Sequence, residues 1–320
     1  MKKAAVGIDI GGTNTILGIV DQKGNCLFEK EIFTDSGKGI VEYLHHLSDI
    51  IEEGKILIKD EYKIEGIGIG APNGNTKTGN IEFAPNLPWK GVLPLVEEFR
   101  KIRVEPVILA NDANAAAIGE MIYGGAKGMK DFLVITIGTG LGSGFVSNGR
   151  LITGHDGLAG ELGHINVYRN GRLCNCGRRG CLETYVSAVG IKKTLHQLFR
   201  NYSTQSELRS VSFKDLDSRM ITEAAMKGDK LAQLAFDYTG MVLGRKLSDV
   251  VALTSPRAIF VLGGVANAGD LIISPTKTSM EDNMMKVFSD KVEILPSFLN
   301  NNPAVLGSSA LVWDKNFFQE

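Results

Sequence analysis

The sequence predicts an α/β protein of two domains, and three observations carry that expectation. Apolar, β-type runs alternate with segments of helical period along most of the chain, as an α/β fold requires. A strand, a Gly/Thr turn and a second strand occur twice, first from Ala4 to Val20 and again from Val134 to Gly149, which points to a duplicated architecture. The length of 320 residues matches about two domains, with material for a core in each.

Taken in order, Ala4–Ile10 is a short β-rich run, and Gly11-Gly12-Thr13-Asn14 turns it back into Thr15–Val20. A third strand is expected around Cys26 to Phe33. A tight Gly-Gly-Thr turn exposes backbone N–H groups that suit phosphate oxygens, although an ordinary hairpin is the alternative. The second unit, Val134-Ile135-Thr136-Ile137-Gly138-Thr139-Gly140-Leu141, repeats the pattern, and the duplication favours two phosphate loops. Neither fits a P-loop or a dinucleotide fingerprint. Between them, Ile40, Tyr43, Leu44, Leu47, Ile50 and Ile51 have helical spacing, Ile64–Ile69 reads as a buried strand, Asn73–Trp89 as a loop, Val92–Arg100 as a short helix and Pro106–Ala110 as a strand. That strand runs into Asn111-Asp112-Ala113. An Asp there is either a helix cap or a carboxylate kept ionised by the helix N-terminus and ready to accept a proton.

Further on, 183–199 and 222–251 read as helices and 201–217 as an exposed connection. Ala258–Leu262 is a buried strand ending in Gly263-Gly264, a turn that is either plain or open to a flat ligand. Residues 280–287 read as a helix, 292–295 as a strand, and 303–313 as a last helix.

Composition narrows the function classes. A hydrophobic content of 43%, a charged content of 22% and a net charge of −1 are ordinary globular values and argue against a nucleic-acid footprint. No apolar run reaches membrane-spanning length, and the N-terminal MKKAAVGIDIGGT breaks into Asp and Gly too soon for a signal peptide. A cytoplasmic protein is expected. Three of the four cysteines, Cys174, Cys176 and Cys181, lie in one Gly-rich segment, with His164 ten positions before the first. Thiolates and an imidazole gathered in this way match the ligands of a structural Zn²⁺. A disulfide is the other reading, but three cysteines cannot all pair.

GIDIGGTNT, the ND of LANDAN, ITIGTGLGSG, GELGH, CNCGRRGCLE and FVLGGVANAG occur in an order that resembles the ROK family (repressor, open reading frame, kinase) across essentially the whole chain. The resemblance implies an actin-like, ribonuclease H-like sugar-kinase fold, two α/β domains closing over a cleft where ATP and sugar meet. It assigns zinc to His164, Cys174, Cys176 and Cys181. It places sugar contacts at Asn111, Asp112, Glu161, His164 and Glu183, with a further one expected from Asn86. Asp112 is then the acceptor of the proton from the attacking hydroxyl. Gly11, Gly12, Thr13, Thr139 and Gly140 hold the phosphates, Gly263 and Gly264 border the adenine-ribose site, and Asp9 orients Mg²⁺ through water. Asn14 stands where many relatives carry Lys, so no charge counts towards phosphate there.

The resemblance sets domains at 1–111 with 303–320, and 112–302. The form of GELGH and CNCGRRGCLE favours ATP-dependent phosphorylation of D-glucose to glucose 6-phosphate. The alternatives are fructose, mannose, allose, N-acetylglucosamine or N-acetylmannosamine, and, more remotely, a sugar sensor or transcriptional regulator. Regulators of the family carry a DNA-binding domain before the first Gly-Gly-Thr strand, where this sequence has about three residues. The expected partners are the hexose and ATP, without nucleic acid or membrane, in a homodimer or homotetramer.

Overall fold

The computed structural model describes residues 1–34, 37, 39–299 and 302–318. The chain forms two compact units, one of Met1–Lys130, Gly144–Gly160 and Ser297–Glu320, the other of Asp131–Ser143 and Glu161–Pro296. Its elements begin β1 (Lys2–Ile10), β2 (Asn14–Asp21), β3 (Cys26–Phe33), α1 (Ile40–Ile58), β4 (Tyr62–Ala71), β5 (Ile81–Glu82) and β6 (Val92–Leu93). Next come α2 (Leu95–Arg100), β7 (Val107–Asn111), α3 (Asp112–Ile122), β8 (Phe132–Ile137), β9 (Leu141–Ser147) and β10 (Arg150–Leu151). The remainder is α4 (Ala188–Asn201), α5 (Ser218–Met226), α6 (Lys230–Thr254), β11 (Ala258–Leu262), α7 (Asp270–Asn283), β12 (Glu293–Pro296) and α8 (Pro303–Ala310).

The first unit is built on a sheet of order β3-β2-β1-β4-β7. β1 to β3 form an antiparallel meander, while β4 and β7 join β1 in parallel. As the middle strand, β1 is covered on both faces, and Ala4, Ala5, Val6 and Ile8 are all fully buried, which explains an apolar run without alternation. Val6 and Ile8 pack with Tyr43, Leu44, Leu47, Ile50 and Ile51 of α1, the helical stripe expected from the sequence. Gly7, between them, meets α8 instead. A Cβ there would stand 2.2 Å from the Val305 carbonyl oxygen, and one on Gly68 of β4 would stand 1.9 Å from that of Ser308. Two side-chain-free positions thus let α8 lie directly on the sheet.

This division differs from the one drawn at 111/112. α3 packs against α8 through Gly119 and Gly307, and Ala115 and Ile118 share a cluster with Ile108, Ala110 and Leu311, so α3 groups with the first unit. Glu120, fully buried on α3, accepts hydrogen bonds from Gly125 N (2.8 Å), Phe298 N (3.0 Å) and the Ser297 hydroxyl.

The other sheet has the order β10-β9-β8-β11-β12, with β11 parallel to both β8 and β12; residues 144–151 of its edge group with the first unit. The helix expected over 222–251 is two helices, broken at Gly228, where φ is +93°. Asp229 then caps α6 by accepting from Leu231 N and Ala232 N. The helix expected from 280 instead begins at Asp270, because Pro275 inside it obscured the period. α6 and α7 pack closely, and a Cβ on Gly240 or Gly244 would come within 2.6 Å of Pro275 or 2.4 Å of the Thr276 carbonyl oxygen. Likewise, the helix expected from 183 is a single 3₁₀ turn, Leu182–Thr184, followed by α4, which Ser187 caps. Among the described residues no helix is long and apolar enough to cross a membrane.

Gly68→Ala tests the close approach of α8. The added methyl has no room against Ser308, so the variant should lose about 1–3 kcal/mol in a denaturant titration. An unchanged unfolding midpoint would contradict this packing.

Candidate active site and metal cluster

In the first unit, β1 delivers Asp9 and then the Gly11-Gly12-Thr13 turn, closed by a hydrogen bond from Gly11 N to Asn14 O of 2.9 Å. The turn rests on the loop carrying Asn86: a Cβ on Gly12 would lie 2.5 Å from the Asn86 carbonyl oxygen. Beside them is a cavity of about 690 Å³ whose lining includes Thr13, Phe33, Tyr43, His46, Asn86 and Lys90. Asn14 donates to Glu31 rather than leaving its amide to the turn.

At the β7–α3 junction the cap is Asn111, whose Oδ1 accepts from Ala113 N at 3.0 Å. Asp112 is the first helical residue, and its own Oδ1 also reaches Ala113 N, at 2.8 Å. Asp112 keeps contact with solvent, but protein is dense around it, and burial pushes its carboxyl above the usual range. Burial, and then the charge of Asp112, pushes Asp9 up to about 7.

In the second unit two turns lie at the carboxyl ends of the parallel neighbours β8 and β11, where open α/β sheets bind ligands. Gly138-Thr139-Gly140 is closed by Gly138 N donating to Gly140 O at 3.1 Å. Gly263, with φ +102°, packs against Ile137; a Cβ there would meet its carbonyl oxygen at 2.6 Å. Positions Gly138 and Gly264 face open space. A cavity of about 640 Å³ follows the second turn, bounded by Met226, Gln233, Asp237, Asn267, Gly269 and Asp270.

The cysteine segment gathers its donors. One ligand atom from each of His164, Cys174, Cys176 and Cys181 lies within 4.8 Å of all the others. Cys176 Sγ and Cys181 Sγ are 3.6 Å apart, and Cys174 Sγ is 3.7 Å from His164 Nδ1. A tetrahedral Zn²⁺ with bonds of ~2.3 Å to sulfur and ~2.0 Å to nitrogen separates its ligands by ~3.5–3.8 Å, so the donor set is compatible with a structural zinc. The cysteines are free thiols. Burial and then the hydrogen bond to Glu183 raise the Cys174 thiol. Burial also opposes ionisation of Cys176, but hydrogen bonds from the Arg178 backbone and from neighbouring donors outweigh it and bring that thiol down to about 6.

Two carboxylates flank the cluster. Glu183 Oε1 is 2.8 Å from Cys174 Sγ and 3.8 Å from His164 Nδ1, while its Oε2 lies 2.8 Å from where a Cβ on Gly140 would stand. Glu161 Oε2 is 3.9 Å from His164 Nε2. His164 therefore turns one ring nitrogen to the thiols and the other to Glu161.

Sequence reasoning missed the support beneath the first turn. The Thr34 hydroxyl donates to Gly11 O at 2.8 Å, Thr34 N donates to Thr13 O at 2.8 Å, and Thr15 Oγ1 meets both the Thr34 hydroxyl, at 2.8 Å, and the Tyr43 hydroxyl. Hydroxyls at inward-facing positions of β2 and α1 were the available signal.

Two α/β units carrying paired Gly/Thr turns define the actin-like, ribonuclease H-like class of sugar-kinase folds. A ROK family glucokinase from Streptomyces griseus, solved in complex with glucose and AMPPNP, matches with a TM-score of 0.79 and 32% identity over 96% of this chain and 98% of that one. The chain belongs to the ROK family, whose model matches residues 5–315. A glucokinase of Thermotoga maritima is 31% identical over 319 residues, 98% of both chains. A xylose repressor of Bacillus spizizenii is 29% identical, over 97% of this chain and 78% of the repressor.

The junction geometry makes its own prediction. Asn111→Ala removes the cap and should cost about 0.5–2 kcal/mol in thermal or urea unfolding, with Asn111→Asp close to the parent. If Asp112→Ala were the more damaging of the two alanine variants, the cap would be misassigned.

Proposed function

We propose that the protein is an ATP-dependent hexokinase that converts D-glucose to glucose 6-phosphate. The observation that carries this reading is near-full-length similarity to proteins named glucokinases, together with an Asp at the first position of α3 whose capping duty is taken by Asn111.

In this reading Asn86, Asn111, Asp112, Glu161, His164 and Glu183 hold the sugar. Carboxylates suit hydroxyls that donate, and His164 Nε2 is the ring nitrogen left for substrate when Nδ1 faces the thiols. Gly11, Gly12, Thr13, Thr139 and Gly140 offer backbone N–H groups and hydroxyls to the phosphates, and the Gly263-Gly264 turn borders the base and ribose. The reaction forms a bond between the sugar 6-oxygen and the γ-phosphorus, breaks the bond from that phosphorus to the bridging oxygen, and releases ADP. Asp112 accepts the proton of the attacking hydroxyl, and its raised pKa makes it the stronger base. Asp9 fits a water-mediated contact to Mg²⁺: among the described residues no hydrogen bond or ion pair satisfies its half-buried carboxylate, which burial and then the charge of Asp112 push up to about 7. When bound, Mg²⁺ neutralises charge on the phosphates. His164, Cys174, Cys176 and Cys181 hold a structural Zn²⁺. The protein acts in the cytoplasm as a homodimer or homotetramer.

Similarity to a xylose repressor supports a second reading, sugar sensing without catalysis. Initial rates with ATP across glucose, fructose, mannose, allose and the two N-acetylhexosamines decide between them. Glucose should give the highest kcat/KM; no turnover on any of these sugars would sink the kinase reading.

Asp112→Asn should lower kcat by about 10²–10⁴ while glucose still binds measurably. Near-parent turnover would mean that another group takes the proton. For the metal, purified protein should carry one zinc per chain, and Cys176→Ser should lose it together with sugar affinity, since binding energy at a closed site is also folding energy. Zinc retained at full stoichiometry in Cys176→Ser, with normal glucose affinity, would remove the assignment. Cys26, outside the cluster, serves as the control, and Cys26→Ser should keep its zinc.

A further inference from the structure

Four arginines lie in or beside the cysteine segment, and one behaves unlike the rest. Arg169, Arg178 and Arg179 are exposed, whereas Arg172 is half-buried. Its Nη1 donates to the carbonyl oxygens of Thr184 at 2.9 Å and Gly190 at 3.0 Å. Its Nη2 donates to Thr194 Oγ1 at 3.1 Å, with a longer contact of 3.4 Å to Gln197 Oε1. The guanidinium lies 4.5 Å from the centroid of the Tyr185 ring, and Arg172 N donates to the Tyr185 hydroxyl at 2.9 Å. That aromatic platform is itself steadied, since Tyr185 stacks edge-on with Tyr168, which is hydrogen-bonded to Tyr238 of α6.

These partners are neutral, and among the described residues no salt bridge joins Arg172. Its side chain therefore works as a geometric brace. The planar fork reaches the 3₁₀ turn Leu182–Thr184 and the first two turns of α4 together, a geometry a lysine ammonium cannot copy. Its main chain is tied to the metal loop: Gly180 N, one residue before Cys181, donates to Arg172 O at 2.8 Å, and Cys174 is two residues on. Its side chain grips Thr184, the residue after Glu183.

We infer that Arg172 is a positioning residue for the sugar site, coupling the metal loop to the turn that carries Glu183 and so setting that carboxylate against Gly140 and Cys174. The inference rests on the assignment of Glu183 to the sugar. Without the fork, the Thr184 carbonyl loses its charged donor, and the turn can shift while the four metal donors stay in place.

The test uses Arg172→Lys and Arg172→Met in the full chain, with glucose and ATP kinetics, glucose binding by calorimetry, zinc content and Tm. Both variants should bind glucose about tenfold more weakly, with KM for ATP within about twofold of the parent and zinc retained. Thr194→Val, which removes one acceptor, should move glucose affinity in the same direction by less. In a Glu183→Gln background, Arg172→Lys should add little further loss, because the two residues act through one contact. A brace for stability alone would lower Tm and leave glucose affinity unchanged, which overturns the proposal. Equal losses with and without Glu183→Gln also overturn it. A parent protein that neither binds nor phosphorylates any hexose overturns this inference and the kinase reading together, whereas an active parent with an indifferent Arg172→Lys overturns this inference alone.

Discussion

Glu183 touches two things at once. One carboxylate oxygen sits 2.8 Å from the sulfur of Cys174, and the other occupies the space a side chain at Gly140 would need. The cysteine segment and the Gly138–Gly140 turn are therefore not independent features of the second unit. A side chain at position 140 would displace the carboxylate, and a displaced cysteine loop would carry it away from the turn. The hydrogen bond from Ala188 N to Gly138 O, 2.8 Å, adds a second tie between that turn and the start of α4, so the cysteine segment and the glycine turn of this unit share one support.

The matching turn of the first unit is braced by different means. Gly11 and Thr13 are held by Thr34, which belongs to a buried set of hydroxyls with Thr15 and Tyr43. Such a network is stabilising only when every member is satisfied, and here each hydroxyl meets another. Two strand–turn–strand units alike in sequence are thus stiffened by a hydroxyl cluster in one case and by a carboxylate wedged beside a thiol in the other. Repetition of a backbone device does not require repetition of its supports.

What could be read directly was local chemistry. β3 and β11 have the bounds expected from their runs of strand-forming residues, and the apolar stripe of α1 faces the core as its period required. The Asn111-Asp112 junction lies at the expected strand end, but which residue caps depends on backbone angles that composition does not encode; Asn111 is extended, and so becomes the cap. The four donors assigned through the family resemblance do converge. Hidden features were those set by distant packing. α7 contains Pro275 and reads poorly as a helix by itself, yet Gly240 and Gly244 of α6 leave it a close-fitting surface. Nothing local marks Arg172, because its acceptors lie 12 to 25 positions later.

The seating of α8 on Gly7 and Gly68 joins the two ends of the chain in one core. β1 (Lys2–Ile10) is synthesised well before α8 (Pro303–Ala310), so one face of the central strand lacks its cover until α8 has been made. Contacts so far apart in sequence slow folding, since loop closure precedes any gain from burial. The second unit has its strands and helices between residues 131 and 296 and can gather them earlier. Synthesis order and folding order are thus opposed in this chain: the unit that begins first is completed last.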